Sequence, residues 1–279
     1  MRHFSLEDEK VAEDKLISPV TTPTSLIDED KCFVRITPKS NKHDTKEICN
    51  YCVQNIPYLI VVISLTEAIF FIKSDINLRH LLRFEPNRRY QIWRYLTYML
   101  IHEDAVHLVL NMILQCIFAF FLETKQGRIR VGIVYLVGGL TGALGASCLN
   151  PGLLIGASAG VYSLLISLVA DLYLNYENTK YKVCRSLCIA VIVLSDISFN
   201  FYHYLSRDEP LISWEAHVFG GITGLFLGLA LYNNFDRLQQ KRKNICLTFS
   251  SLLYFLLLSS LVIITIDTEA TGSVIKMKA

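Results

Sequence analysis

The sequence predicts an all-α membrane protein built as a polytopic helical bundle. Three observations predict it. The 279 residues are 52% hydrophobic and only 19% charged, against about 25% charged in an ordinary soluble domain. Seven apolar runs follow one another, each near the ~20 residues needed to span a bilayer. Loops rich in Lys and Arg alternate with loops that have few. The net charge of +2 is mild, and no basic stripe or interleaving of aromatic and basic residues suggests a nucleic-acid partner.

Residues 1–55 are polar, carry charges of both signs and place Pro19, Pro23 and Pro38 among Ser and Thr. They contain no apolar core of a signal peptide and read as a disordered N-terminal region on the cytosolic side. The apolar runs fall at roughly 56–73, 107–122, 131–149, 153–174, 184–204, 212–232 and 246–266. The third to sixth are rich in Gly, Ala and Ser, small residues that let helices approach closely, so they should form the centre of the bundle. The seventh has few small residues and should lie at the edge. The expected organisation is therefore residues 1–55, a six-helix core over 56–235, and a segment 236–279 holding a cytosolic loop, a seventh span and a short lumenal tail.

The basic residues set the orientation. Lys125, Arg128 and Arg130 follow the second run, Lys180, Lys182 and Arg185 the fourth, and Arg237, Lys241, Arg242 and Lys243 the sixth. The opposing short loops have Arg207 alone. The N-terminus is then cytosolic and the C-terminus lumenal or external. One long loop, 73–106, dissents with Lys73, Arg79, Arg83, Arg88, Arg89 and Arg94. In this orientation runs two, four and six all begin at the lumenal side. His107 and Asn111 start run two, while Ser158 and His217 each lie five residues into their runs. At a rise of 1.5 Å per residue this predicts a common depth of ~8 Å.

A serine and a histidine at one depth inside apolar segments suggest nucleophilic catalysis within a bilayer, because a polar group in hydrocarbon is costly. Gly156-Ala157-Ser158-Ala159-Gly160 also fits the nucleophile elbow of α/β hydrolases, but that needs a preceding strand, and Leu140–Leu154 is membrane run and turn. A small-residue packing motif would explain the glycines but not the matching His217. His102 and His107 look like a zinc pair but stand five apart, off a common helix face, so no metal is expected and His102 reads as a structural hydrogen-bonding residue. Glu67 and Asp196 are acids inside runs one and five. They read as internally hydrogen-bonded or near a helix end, with a transport site as the alternative. Glu215 lies close enough in sequence to His217 to tune it. The eight cysteines form no paired lumenal set. Cys49, Cys52, Cys184, Cys188 and Cys246 lie near the cytosolic face, unmodified or palmitoylated.

Taken together, Trp93-Arg94, His102-x4-His107-x3-Asn111, Gly156-x-Ser158-x-Gly160 and Ala216-His217-x2-Gly220-x3-Gly224 resemble the rhomboid intramembrane serine proteases. The closest likeness is to the eukaryotic secretase-type members, with six core helices plus one C-terminal transmembrane helix. The resemblance runs from about Pro57 to Phe235. It implies that Ser158 attacks the scissile carbonyl and His217 acts as general base and then acid, a dyad with no carboxylate assigned. It implies that Tyr162 packs on and orients His217, and that the Ser158 N–H, His107 and Asn111 hold the oxyanion. Gly156, Gly160, Gly220 and Gly224 would let the helices approach closely enough for the Ser–His bond. No cofactor is expected. The implied substrates are single-spanning transmembrane proteins in the lipid bilayer, including type I EGF-like growth-factor precursors, cut near their lumenal end after lateral entry past run five. The implied location is the secretory pathway (Golgi or endoplasmic reticulum) or the plasma membrane. A catalytically inactive rhomboid-like protein that binds clients for trafficking is the alternative reading.

Overall fold

The architecture follows, among the described residues, from seven helices that take up the apolar runs and two short ones in the first long loop. The computed structural model describes residues 57–206, 213–234 and 240–278; the N-terminal region 1–55 lies outside the described residues. We number the helices α1 (Tyr58–Lys73), α2 (Ile76–Leu82), α3 (Arg94–Thr97), α4 (Ala105–Gln126), α5 (Arg128–Leu149), α6 (Ser158–Leu174), α7 (Lys182–Ser206), α8 (Trp214–Leu231) and α9 (Gln240–Lys278). Among the described residues there is no strand, only one isolated bridge between Phe84 and Leu154. Within α4, α5, α7, α8 and α9 lie stretches long and apolar enough to cross a membrane, and α6 is a shorter apolar helix. The chain is thus an integral multi-pass membrane protein.

At the centre, α6 packs against α8, and α5 packs against both. Small residues make this possible. A Cβ added at Gly142 would sit 2.7 Å from Ala159 Cβ and 2.8 Å from the Ala216 carbonyl oxygen. Three helices meet there with almost no side chain between them, so the attraction is close van der Waals contact rather than interlocking bulk. On one side α4 packs against α6 and α1. On the other, α9 lies against α8 and α5 and buries Tyr254 and Leu261. It begins at Gln240, inside the segment read as a loop, because Gln-Lys-Arg-Lys holds nothing that breaks a helix.

Buried polar groups tie the helices at two levels. Glu67 on α1 accepts from Gln115 Nε2 at 2.9 Å and from the Tyr135 hydroxyl at 2.9 Å, linking α1, α4 and α5. At the far end, Gln126 donates to Asp171 Oδ1 at 2.6 Å and accepts from Asn233 N at 2.6 Å, linking α4, α6 and the chain after α8. In hydrocarbon such groups must find partners within the protein, and these do.

The loop between α1 and α4 explains the dissenting charges. Arg94 is 1% exposed and donates to the carbonyls of His80 at 2.6 Å and Arg83 at 2.5 Å. Arg79 donates to the His102 carbonyl at 2.5 Å, and Arg83 and Arg88 pair with Glu85 at 2.9 and 3.2 Å. These guanidiniums fold the loop onto itself. Arg79 and Arg94 thus serve the loop's backbone, and Arg83 and Arg88 serve Glu85.

Candidate active site

Ser158 is the first residue of α6, not five residues into a helix as the apolar run suggested. The preceding stretch Leu153–Ala157 is apolar but not helical. Leu154 exchanges two backbone hydrogen bonds with Phe84, at 3.1 and 3.2 Å, and Gly156 takes φ +100, a conformation a side chain disfavours. Helical rise therefore does not set the depth of Ser158; the folded loop does. Gly156 N–H donates to the Tyr98 carbonyl at 3.1 Å, Ala157 N–H donates to His102 Nε2 at 3.4 Å, and the Tyr98 hydroxyl anchors this turn to the Gly139 carbonyl at 2.8 Å.

His217 is the fourth residue of α8, whose start is fixed by the Ser213 hydroxyl accepting from Ala216 N–H at 3.3 Å. Its Nε2 lies 2.9 Å from Ser158 Oγ. The Tyr162 ring, one turn beyond Ser158 on the same face of α6, stacks on the imidazole with centroids 4.1 Å apart and planes 8° from parallel. His217 is buried, at 5% exposure.

The glycines divide their work. A Cβ at Gly220 would run into the Ala159 carbonyl oxygen, and one at Gly224 into that of Ser163, so these two let α8 lie on α6. Gly160 faces the other way, towards Met99 and Tyr135. A Cβ at Gly156 would come 2.6 Å from the His107 ring, so this glycine makes room for His107 beside the turn that leads into Ser158.

His107 and Asn111 share one face of α4, which begins with Asp104 accepting the His107 N–H at 2.8 Å. Asn111 is buried and donates to the His107 carbonyl at 3.0 Å. The His102 and His107 rings meet edge-on with centroids 5.2 Å apart. His102 is fully buried, and this burial, with a smaller contribution from the charge of His107, pushes its imidazole down to about 3. It stays neutral and can accept the Ala157 N–H. Among the described residues, no three His, Cys, Asp or Glu side chains converge as a metal site.

Glu215 does not reach towards His217 through these bonds. It accepts from Asn150 Nδ2 at 3.1 Å and from the Ser213 hydroxyl at 3.0 Å, tying the start of α8 to the end of α5. The residue that does reach His217 is Asp196 on α7. Its Oδ2 lies 3.2 Å from His217 Nδ1. Sequence reading registered Asp196 as an acid in an apolar run but not as a neighbour of His217. The available signal was helical spacing: Ile189, Ile192, Asp196 and Asn200 fall on one face.

Comparison with known proteins places this geometry in context. A family model described as the rhomboid domain matches residues 89–234, a span that holds every residue named above from Arg94 to Asn233. The chain is 33% identical over 199 residues to rhomboid-related protein 2 of Mus musculus, covering 65% of this chain and 66% of that protein. It is 30% identical over 207 residues to rhomboid-related protein 3 of Homo sapiens, covering 66% and 51%, and 33% identical over 168 residues to rhomboid-related protein 1 of Caenorhabditis elegans, covering 59% and 47%. The chain spans about half to two thirds of the length of these relatives.

Proposed function

The chain belongs to the rhomboid family, and from that premise we propose that it is an intramembrane serine endopeptidase that cuts single-spanning transmembrane proteins near their lumenal end. The observation that carries the proposal is the 2.9 Å contact between His217 Nε2 and Ser158 Oγ. A serine hydroxyl is a weak nucleophile until a base takes its proton, and a neutral imidazole at hydrogen-bond distance is such a base.

The reaction runs in two halves. Ser158 Oγ bonds to the scissile carbonyl carbon while its proton moves to His217 Nε2, and the carbonyl electrons move onto the oxygen. The oxyanion collapses, the C–N bond breaks, and His217 returns the proton to the leaving amine. Water then attacks the acyl-serine ester by the same path and frees Ser158. The oxyanion needs preorganised donors. Ser158 N–H, at the first position of α6, has no acceptor within the helix and sits at the positive end of its dipole. His107 and the Asn111 amide supply further donors, Asn111 after turning from the His107 carbonyl that it now meets.

The substrate must unwind locally before its carbonyl can be attacked, so residues of low helix propensity are expected near the cut. Membrane-tethered EGF-like precursors of type I orientation are the proposed substrates, consistent with a cytosolic N-terminus and a site open to the lumen. Co-expression with a panel of tagged type I membrane proteins tests this. Ectodomains should appear in the medium with the wild-type chain and not with Ser158→Ala. Stable capture of panel members with no release by either chain would instead support the client-binding reading.

A further inference from the structure

Asp196 is the only acidic residue of α7, and it lies in the apolar middle of that helix. A carboxylate there is costly unless it faces protein and finds partners. It does both. The face of α7 turned towards the bundle carries Ile189, Ile192, Val193, Asp196 and Asn200, while Leu187, Val191, Leu194, Ile197 and Phe201 are exposed. On that face Asp196 Oδ2 meets His217 Nδ1 at 3.2 Å. Tyr162 is stacked on the His217 ring. The imidazole is thus held at its edge by one carboxylate and on its face by one ring.

The polarity of this arrangement matters. A carboxylate only accepts, so the His217 nitrogen facing it must carry the proton. With the proton on Nδ1, the lone pair lies on Nε2, the nitrogen 2.9 Å from Ser158 Oγ. The opposite tautomer would aim N–H at the serine and could not act as base. We propose that Asp196 is a positioning residue, fixing His217 in the tautomer and orientation that accept the Ser158 proton and stabilising the imidazolium that forms. This inference rests on the protease reading above and extends it from two residues to three.

A structural consequence follows from α7 itself. Ile189 is its only buried apolar side chain among the described residues. The helix touches the bundle along one narrow face, and Asp196 provides its link to the reacting histidine.

The groups facing His217 are few. Ser158 and Tyr162 face it from α6 and Asp196 from α7, and His107 on α4 lies within electrostatic reach. Glu215 on its own helix is held by Asn150 and Ser213. α5 meets α8 through glycines, Gly142 against Ala216 and Gly145 against Phe219, and Tyr254 of α9 is engaged by Thr141. Among the described residues, Asp196 is therefore the acidic group closest to the ring.

The test uses the purified full chain in lipid vesicles and follows the rate of Ser158 labelling by a fluorophosphonate, together with kcat and KM for a single-spanning substrate. Asp196→Asn keeps size and polarity but loses the charge. It should slow labelling and lower kcat by roughly 10- to 1,000-fold, with KM changed by less than about threefold. Asp196→Glu should restore part of the rate, and unfolding temperatures should stay near wild type. An unchanged labelling rate in Asp196→Asn, or a loss that merely tracks the fraction of folded protein, would overturn the inference. Ser158→Ala separates the two claims. If it is dead while Asp196→Asn is fully active, only the role of Asp196 fails; if wild type is not labelled at Ser158, the protease reading fails and this inference with it.

Discussion

Gly220 on α8 lies directly against the Ala159 carbonyl on α6, with no space for a side chain between them. Ala159 follows Ser158, and Gly220 lies one turn after His217, so this backbone contact sets the spacing across which serine and histidine meet. A methyl group at 220 would strike backbone, which cannot swing aside. Gly220→Ala should therefore force α6 and α8 apart, at a cost of about 1–3 kcal/mol, and should lower activity further than the lost stability explains. Gly152→Ala is the control, because its Cβ would meet nothing closer than the Asn150 carbonyl oxygen at 4.0 Å. Thermal unfolding in detergent and the rate of fluorophosphonate labelling check both variants.

His217→Ala should be as inactive as a variant lacking the serine. The double variant Ser158→Ala, His217→Ala should be no worse than either, because a nucleophile and its base act as one unit. The fluorophosphonate should label wild type at Ser158 and leave His217→Ala unlabelled. Robust labelling of Ser158 without His217 would argue for another base.

Asn111→Ala should lower kcat more than it changes KM, by roughly 10- to 1,000-fold if one oxyanion donor is lost. His107→Ala should behave alike. His102→Ala should act chiefly through stability, because His102 is fully buried and accepts the Ala157 N–H that precedes the nucleophile. Added chelator should leave cleavage unchanged. Chelator-sensitive activity, with both histidine variants equally dead, would point to a metal site.

His102 also predicts a pH dependence of stability. Burial first, and the charge of His107 second, hold its folded-state value at about 3 against an ordinary 6.5. Between these limits the unfolded chain binds a proton that the folded chain refuses, so stability should fall as pH drops from about 6.5 towards 3. The unfolding temperature of wild type should decline across that window, and that of His102→Gln, lower at neutral pH, should decline less steeply. Parallel curves for the two proteins would show that another group governs acid sensitivity.

The helical architecture was readable because spanning lipid leaves the backbone few options. Ser158 and His217 stood out as polar groups among small residues in apolar runs. The start of α6 did not, because Leu153–Ala157 is as apolar as a helix and only its bridge to Phe84 and the backbone of Gly156 reveal a loop. The structural role of the Arg residues in the first long loop was not legible in their number: Arg79, Arg83 and Arg94 turn inward to carbonyls and to Glu85. Asp196 was visible as an acid on a regular helix face. Its partner was not, because contact between α7 and α8 depends on three-dimensional packing that spacing along one helix does not encode. Glu215 shows the converse: two residues from His217 in sequence, it bonds instead to Asn150 and Ser213.

The most direct test of the central claim is cleavage of a single-spanning substrate in proteoliposomes by the purified chain and by Ser158→Ala, with the products identified by mass. The account predicts that the wild-type chain cuts the substrate at a site near its lumenal end. Ser158→Ala, which differs by one oxygen atom and should remain as well folded, should yield no product above background. Cleavage by Ser158→Ala at the wild-type rate, or no cleavage by a wild-type chain that stably binds the same substrate, would contradict it.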